Sequence, residues 1–191
     1  MSNRAVILAL ALLTIITPSQ IGAAPAAGAS AQSAQKELAG KVALITGSSR
    51  NLGRGYAVAL ARNGADIVAH YHLPADRGDA EETARLVRAQ GARAILVSGD
   101  LCDVSTITRM FDQTLQSFGR VDIVVNSAGR IVKKPVAEMT EQDFDSVFCV
   151  NARGAFFVMR EAARRISDNG RIINIGSSLI SSTIGEYSVY A

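Results

Sequence analysis

"VALITGSSRNLGRG", residues 42–55, is the stretch that decides the fold. An apolar run over residues 42–46 ends in a glycine turn, and a helix is predicted over residues 52–62. In doubly wound α/β folds, the turn between the first strand and the first helix holds a dinucleotide pyrophosphate at the helix N-terminus. The turn is not a P-loop, because Gly47 and Gly53 have the wrong separation and Arg54 replaces the required Lys-Ser/Thr pair. A structural turn without a ligand is the alternative interpretation.

The rest of the chain repeats this alternation of apolar runs and helical patterns. Further strands are predicted over residues 67–71, 94–98, 121–125 and 172–175, and further helices over residues 79–90, 104–118 and 140 to about 166. Thr140 and Gly119 are the expected helix N-cap and C-terminal stop. Strands this apolar require burial on both sides, so an α/β fold is predicted, with a doubly wound parallel sheet and helices on both faces.

Composition limits the function classes. The 191 residues are enough for one domain, and 48% hydrophobic with 19% charged residues is typical of a globular protein. The net charge is only +3 and no basic run occurs, so a nucleic-acid partner is not expected. Cys102 and Cys149 lack metal-ligand spacing, and a zinc site is therefore not expected. Each cysteine is interpreted as a buried small hydrophobic residue, although their even number permits a disulfide.

The N-terminal 35 residues differ from the rest of the chain. Arg4 precedes a short apolar run over residues 5–16, and small residues follow around Ala24 and Ala31. This order predicts a secretory signal peptide, because the run is shorter than the ~20 residues that a spanning helix needs. A plain N-terminal extension is the alternative. Either way, residues 1–35 are expected to lie outside the domain that residues 36–191 form.

Residues 38–53, "LAGKVALITGSSRNLG", resemble the opening of the short-chain dehydrogenase/reductase family, whose fingerprint is T-G-x-x-x-G-x-G. Thr46, Gly47 and Gly53 match the fingerprint, and Asn51 replaces its middle glycine. Asparagine tolerates the left-handed backbone better than other non-glycine residues, so the turn is expected to survive this change.

Three more family markers follow in order along the predicted elements. Asp100 follows the third strand, "NSAG" at residues 126–129 resembles the family's N-N-A-G, and Asn151 lies within the last predicted helix. The resemblance implies a Rossmann-type domain without its last strands. The cofactor-binding residues it implies are Thr46, Gly47, Ser49, Arg50, Asn51, Leu52, Gly53, His72, Asp100, Leu101, Asn126, Ala128 and Gly129.

The end of the second strand favours NADP (NADPH) over NAD as the cofactor. The segment "HYHLPAD", residues 70–76, has no carboxylate before Asp76, whereas an acidic residue there accepts the ribose 2′-hydroxyl of NAD. Arg50 is the family's usual cation for a 2′-phosphate, and His72 is a second candidate donor. Alternatively, His70 and His72 are surface residues at the end of a strand.

The catalytic residues implied by the resemblance are Ser177, Tyr190 and Asn151. Tyr190 would be the general acid/base and Ser177 would hydrogen-bond the substrate oxygen during hydride transfer to a small-molecule carbonyl or from an alcohol. Tyr187 and Ser178 are weaker competitors for these roles. The family's lysine, four residues after the tyrosine, would be residue 194, which the 191 residues do not reach.

We therefore expect a fragment of a longer, homo-oligomeric NADP-dependent reductase, with little or no turnover by these 191 residues alone. The alternative is a non-enzymatic dinucleotide-binding module or pseudoenzyme. A methyltransferase ranks last, because it would explain neither Asn151 nor the Ser177–Tyr190 pair.

The expected location rests on two conflicting indications. The signal peptide predicts an exported, periplasmic or membrane-anchored protein, with membrane contact only through the N-terminal segment. NADPH is a cytoplasmic reagent, and a twin-arginine export signal is not found beside Arg4. We predict export, and a cytoplasmic location is the alternative.

Overall fold

The computed structural model describes residues 6–8, 36–181 and 185–190. Most of the predicted signal peptide or extension therefore lies outside the described residues. The strands and α-helices of the described chain are β1 Val6–Leu8, β2 Val42–Ile45, α1 Asn51–Arg62, β3 Asp66–Tyr71, α2 Arg77–Arg88, β4 Ala94–Ser98, α3 Val104–Phe118, β5 Ile123–Asn126, α4 Glu141–Phe148, α5 Ala155–Arg165 and β6 Arg171–Asn174. Within these ranges, no helix is both long enough and apolar enough to cross a bilayer.

The strands form one parallel sheet in the order β1-β6-β5-β2-β3-β4. The prediction of a doubly wound parallel sheet is confirmed. Because β2 lies between β3 and β5, the chain winds outward from it in both directions. The carboxyl end of β2 is therefore the switch point at which ligands bind in such sheets.

Side chains of β2 alternate between the two faces of the sheet, and helices cover both faces, as predicted. Val42 and Leu44 pack on the face covered by α3 and α5. Ala43 and Ile45 pack on the face covered by α1 and α2. All four side chains are almost completely buried, which explains why the sequence of this strand shows no polar alternation.

The predicted helix over residues 140–166 is interrupted in its middle. Thr140 and Asp143 form a capping box at its start, in which the Asp143 N–H donates to the Thr140 hydroxyl at 3.1 Å. Between α4 and α5, residues Cys149–Gly154 form a π-helical turn. Asn151 lies inside this turn, and such turns occur frequently at functional sites.

Strand β1 was not predicted, because the sequence analysis placed residues 1–35 outside the domain. Its backbone pairs in parallel with β6, with Ile7 opposite Ile172. Val6–Leu8 thus forms the edge of the sheet beyond β6.

The interpretation of the two cysteines as separate buried residues was wrong. Cys102 and Cys149 are both half-buried and are joined in a disulfide, with their Cα atoms 5.4 Å apart. Their Cα separation is ordinary for a disulfide. Sequence spacing did not indicate the pair because 47 residues separate the two cysteines.

Asp122 fastens the amino ends of the central strands together. Its carboxylate is 3% exposed and accepts hydrogen bonds from the Val42 N–H at 3.0 Å and from the Arg120 guanidinium at 2.6 and 2.7 Å. The Lys41 ammonium nitrogen lies 3.4 Å from the Asp122 Oδ1. Burial opposes ionisation of the carboxyl group, but the hydrogen bonds from Arg120 and Val42 outweigh it and hold the pKa of Asp122 below its usual value.

Replacing Asp122 with alanine is expected to lower the free energy of unfolding by about 2 kcal/mol, because the buried Val42 N–H then loses its acceptor. Urea unfolding measures the change. The control is Asp112→Ala, which removes an exposed carboxylate paired with Arg165 and should cost less than about 0.5 kcal/mol. Equal losses in the two variants would contradict this role of Asp122.

Candidate active site

A cleft of about 530 Å³ lies at the carboxyl ends of β2 to β5. It is the position expected for a ligand in a doubly wound sheet. Most of the predicted site residues line it: Gly47, Ser49, Arg50, Asn51, Leu52, Gly53, His72, Asp100, Leu101, Ala128, Gly129 and Tyr190. Further lining residues are Arg130 and Ile131, from the segment after Gly129 that was expected to line the substrate pocket, and His70, Leu73, Asp76, Ser127 and Val150, which were not predicted for the site.

The turn after β2 is shaped to receive an anion. Gly47 has φ = 63° and Asn51 has φ = 51°, so asparagine adopts the left-handed conformation at the position where the family fingerprint has glycine. A Cβ on Gly53 would lie 2.3 Å from the Gly47 carbonyl oxygen, so only glycine fits there. No side chain caps the N-terminus of α1, and its first turn has no acidic residue. The first N–H groups of the helix and the positive end of its dipole therefore face the cleft.

Thr46 and Asn126 lie beneath the cleft and do not line it. The Thr46 hydroxyl accepts hydrogen bonds from the N–H groups of Ser127 and Ala128 at 3.0 and 3.1 Å. The Asn126 amide donates to the Asn174 side-chain oxygen at 2.8 Å. Thr46 thus holds the loop after β5 in place, and Asn126 links the ends of β5 and β6.

His70 is buried, in contrast to the alternative interpretation that it is a surface residue. Its Nδ1 accepts from the Gly47 N–H at 3.2 Å, which leaves the proton on Nε2 to be donated to the Gly99 carbonyl at 2.9 Å. Burial lowers the pKa of His70 from 6.5 to about 4, against the opposing effect of the Gly99 hydrogen bond. His70 is therefore a neutral bridge between the glycine turn and the loop after β4. His72 is exposed, with Nδ1 3.5 Å from the same carbonyl.

Arg50 stands at the mouth of the cleft and is paired with two carboxylates. Its guanidinium lies 3.2 Å from Asp76 and 3.4 Å from Asp79, and its side chain is 57% exposed. These partners, which lie at the start of α2, were not predicted from the sequence. The helix dipole favours acidic residues at the start of a helix. This preference was the one feature of the sequence that could have pointed to Asp76 and Asp79 as partners of Arg50.

The side chain of Asn151 holds the loop that follows Gly129. Its Oδ1 accepts from the Arg130 N–H at 2.8 Å and its Nδ2 donates to the Arg130 carbonyl at 2.9 Å. The π-helical turn thus directs this amide towards the backbone beside the cleft, while Val150, its neighbour, lines the cleft.

Ser177 and Tyr190 lie on two segments on either side of residues 182–184, which are not described. The Ser177 hydroxyl accepts from the Leu179 N–H at 3.2 Å. Tyr190 lines the cleft, whereas Tyr187, its competitor, packs under Lys133 with the ammonium 4.9 Å from the ring centre. A hydrogen bond from the Lys134 N–H to the Glu186 carbonyl, 3.1 Å long, anchors the segment that carries both tyrosines.

The doubly wound sheet, with an uncapped helix start at its switch point, defines a nucleotide-binding domain of the Rossmann type. No group of three or more His, Cys, Asp or Glu side chains that could hold a metal ion occurs in the part of the chain that the structure describes. A model of the short chain dehydrogenase family matches residues 41–191. The chain belongs to this family.

Curated relatives are longer than this chain. It is 41% identical to the hydroxynaphthalene reductase-like protein Arp2 of Metarhizium acridum over 164 residues, which cover 85% of the chain and 61% of that protein. It is 43% identical to the short chain dehydrogenase claC of Passalora fulva over 141 residues, which cover 74% of the chain and 52% of that protein. The chain therefore spans roughly half to three fifths of these relatives.

Solved structures show the same fold. A putative dehydrogenase from Burkholderia cenocepacia with bound NADP has a TM-score of 0.77 and 39% identity, covering 83% of this chain and 60% of that one. A blue fluorescent protein from a metagenomic library, in complex with NADPH, has a TM-score of 0.74 and 34% identity, covering 81% of this chain and 63% of that one.

The neutral state of His70 predicts a pH dependence of stability. The unfolded chain binds the proton with the ordinary pKa of 6.5, and the folded chain resists it down to about 4. Stability is therefore lost as the pH falls through this window, by up to about 3 kcal/mol. Urea unfolding of wild type and His70→Asn between pH 7 and pH 4 measures the difference. His72→Asn is the matched control, and its free energy of unfolding should depend on pH as that of the wild type does. If His70→Asn shows this same pH dependence, His70 is not its source.

Proposed function

We propose that these residues bind NADP(H) and carry the catalytic tyrosine of an oxidoreductase that interconverts a small-molecule carbonyl and an alcohol. The observation that carries the proposal is the open N-terminus of α1, which faces a cleft containing Arg50 and Tyr190. The chemistry that a bound NADP(H) supplies is hydride transfer at C4 of its nicotinamide. Membership of the family and the NADP or NADPH held by similar structures support this choice.

The backbone around Gly47 and Gly53 would hold the pyrophosphate. Uncapped N–H groups at a helix start favour a bound anion through hydrogen bonds and the helix dipole. A Cβ on residue 47 would lie 2.7 Å from the Ala128 Cα. The turn can therefore lie this close to the loop after β5 only because residue 47 is glycine. The residues present therefore fit a dinucleotide.

Arg50 would select NADP over NAD by binding the 2′-phosphate. The Asp76 side chain is 16% exposed, whereas Arg50 and Asp79 are exposed at 57% and 47%. The Arg50–Asp79 pair is therefore at the surface, where such pairs contribute about 0–1 kcal/mol. Phosphate offers stronger, charge-assisted hydrogen bonds to the guanidinium. The last residues of β3, His70 and Tyr71, provide no carboxylate to hold a ribose 2′-hydroxyl instead.

Tyr190 would exchange the proton with the substrate oxygen, and Ser177 would donate a hydrogen bond to that oxygen as negative charge develops. Asn151 holds the Arg130 backbone beside the cleft and would thereby position the wall that faces the nicotinamide end. The roles of Tyr190 and Ser177 are those that the family resemblance implies, and the substrate is proposed only as a small carbonyl or alcohol.

Arg50→Ala is expected to weaken NADPH binding by about tenfold or more, because a hydrogen-bonded charge pair is lost, and to change NADH binding by less than about twofold. Titration followed by NADPH and NADH fluorescence measures both affinities. Asp79→Asn should strengthen NADPH binding by roughly twofold, since it removes a competitor for the guanidinium.

Arg77→Ala is the matched control for charge, because Arg77 is an exposed arginine paired with Glu81 and does not line the cleft. It should leave both affinities unchanged. An equal loss of NADPH and NADH affinity in Arg50→Ala would show that Arg50 acts on the turn itself and not on the phosphate.

The 191 residues are expected to bind NADPH but to reduce carbonyl compounds at or near the background rate. The family places a lysine four residues after the tyrosine to assist its ionisation, and free tyrosine has a pKa of about 10. NADPH consumption with a panel of aldehydes and ketones tests this, with Tyr190→Phe as the background. Turnover well above that of Tyr190→Phe would contradict the expectation. If a longer product of the same reading frame also binds NADPH without turnover, the binding-module alternative is favoured.

A further inference from the structure

The disulfide joins two segments that both form walls of the cleft. Cys102 directly follows Asp100 and Leu101, and Cys149 directly precedes Val150, and all three of these neighbours line the cleft. The disulfide therefore links the loop after β4 to the π-helical turn that carries Asn151. It is the covalent connection between two walls that are otherwise 47 residues apart.

Noncovalent contacts surround the disulfide and keep the two walls adjacent. The Arg153 guanidinium donates a hydrogen bond to the Cys102 carbonyl. A Cβ on Gly154 would lie 3.1 Å from the Leu101 carbonyl oxygen, which shows how closely the turn packs on the loop. The junction would therefore persist without the disulfide, but with more freedom of movement.

On its cleft side, the shape of the loop depends on the position of Cys102. Asp100 accepts a hydrogen bond from the Cys102 N–H at 2.8 Å, so its carboxylate orientation depends directly on where Cys102 is held. The Gly99 carbonyl is held by His70. Between Gly99 and the cap of α3 at Asp103, the disulfide and the hydrogen bond from Arg153 to the Cys102 carbonyl both join the loop to the adjacent wall, and the disulfide is the covalent link.

We propose that the Cys102–Cys149 pair is a redox-responsive tie, whose oxidation fixes the cleft in its cofactor-binding shape and whose reduction loosens it. The consequence for affinity rests on the proposed binding of NADPH. The dithiol form is oxidised by a low-molecular-weight disulfide such as glutathione disulfide. One cysteine thiolate attacks that disulfide and releases one thiol, and the second cysteine attacks the mixed disulfide and releases the other. The two cysteines lose two protons and two electrons, and one external disulfide becomes two thiols.

The test compares the 191-residue chain after treatment with glutathione disulfide and after treatment with a phosphine reductant. The sequence contains two cysteines, so a thiol titration should give no free thiol in the first state and two in the second. Reduction is expected to weaken NADPH binding by about five- to tenfold, the lower end of the range typical of coupling between sites. Cys102→Ala/Cys149→Ala should bind NADPH like the reduced chain and show no response to either treatment.

Hydrogen exchange provides a second readout that does not depend on NADPH. Residues 99–103 and 149–154 should exchange faster after reduction, while α1 and α2 remain unchanged. Two free thiols after oxidation, or equal affinity and equal exchange in both states, would overturn the proposal. If neither state binds NADPH, the proposed cofactor function fails, and the exchange difference alone decides whether the tie exists.

Discussion

The two hydrogen bonds of the His70 ring hold together the strand ends from which the cleft is built. One fixes Gly47, in the turn after β2, and the other fixes Gly99, in the turn after β4. Because a neutral imidazole has one donor and one acceptor, this bridge requires a single tautomer and an uncharged ring. Thr46 plays the corresponding role on the other side by holding the loop after β5. The position of the open helix start depends on both side chains.

Much of the fold could be predicted because it follows from patterns that are local in the sequence. Continuous apolar runs identified the strands, and Gly119 and the Thr140–Asp143 box marked helix ends. Most of the predicted site residues also lie together, because the carboxyl ends of parallel strands meet at one edge of the sheet.

What could not be predicted depends on contacts between residues that are distant in the sequence. Burial of His70, the pairing of Arg50 with Asp79 and the disulfide each join positions 29 to 47 residues apart. No local period encodes such contacts. The pairing of Val6–Leu8 with β6 is a further example, since a short apolar run reads equally well as a leader segment or a strand.

The π-helical turn Cys149–Gly154 accommodates one more residue than a regular α-helix would in the same length. The backbone inside this turn departs from the regular i to i−4 hydrogen-bond pattern, and Asn151 lies within it. From there its side-chain amide pairs with both the N–H and the carbonyl of Arg130. An irregularity in a helix thus supplies the group that holds a neighbouring loop, a task that is more often left to another loop.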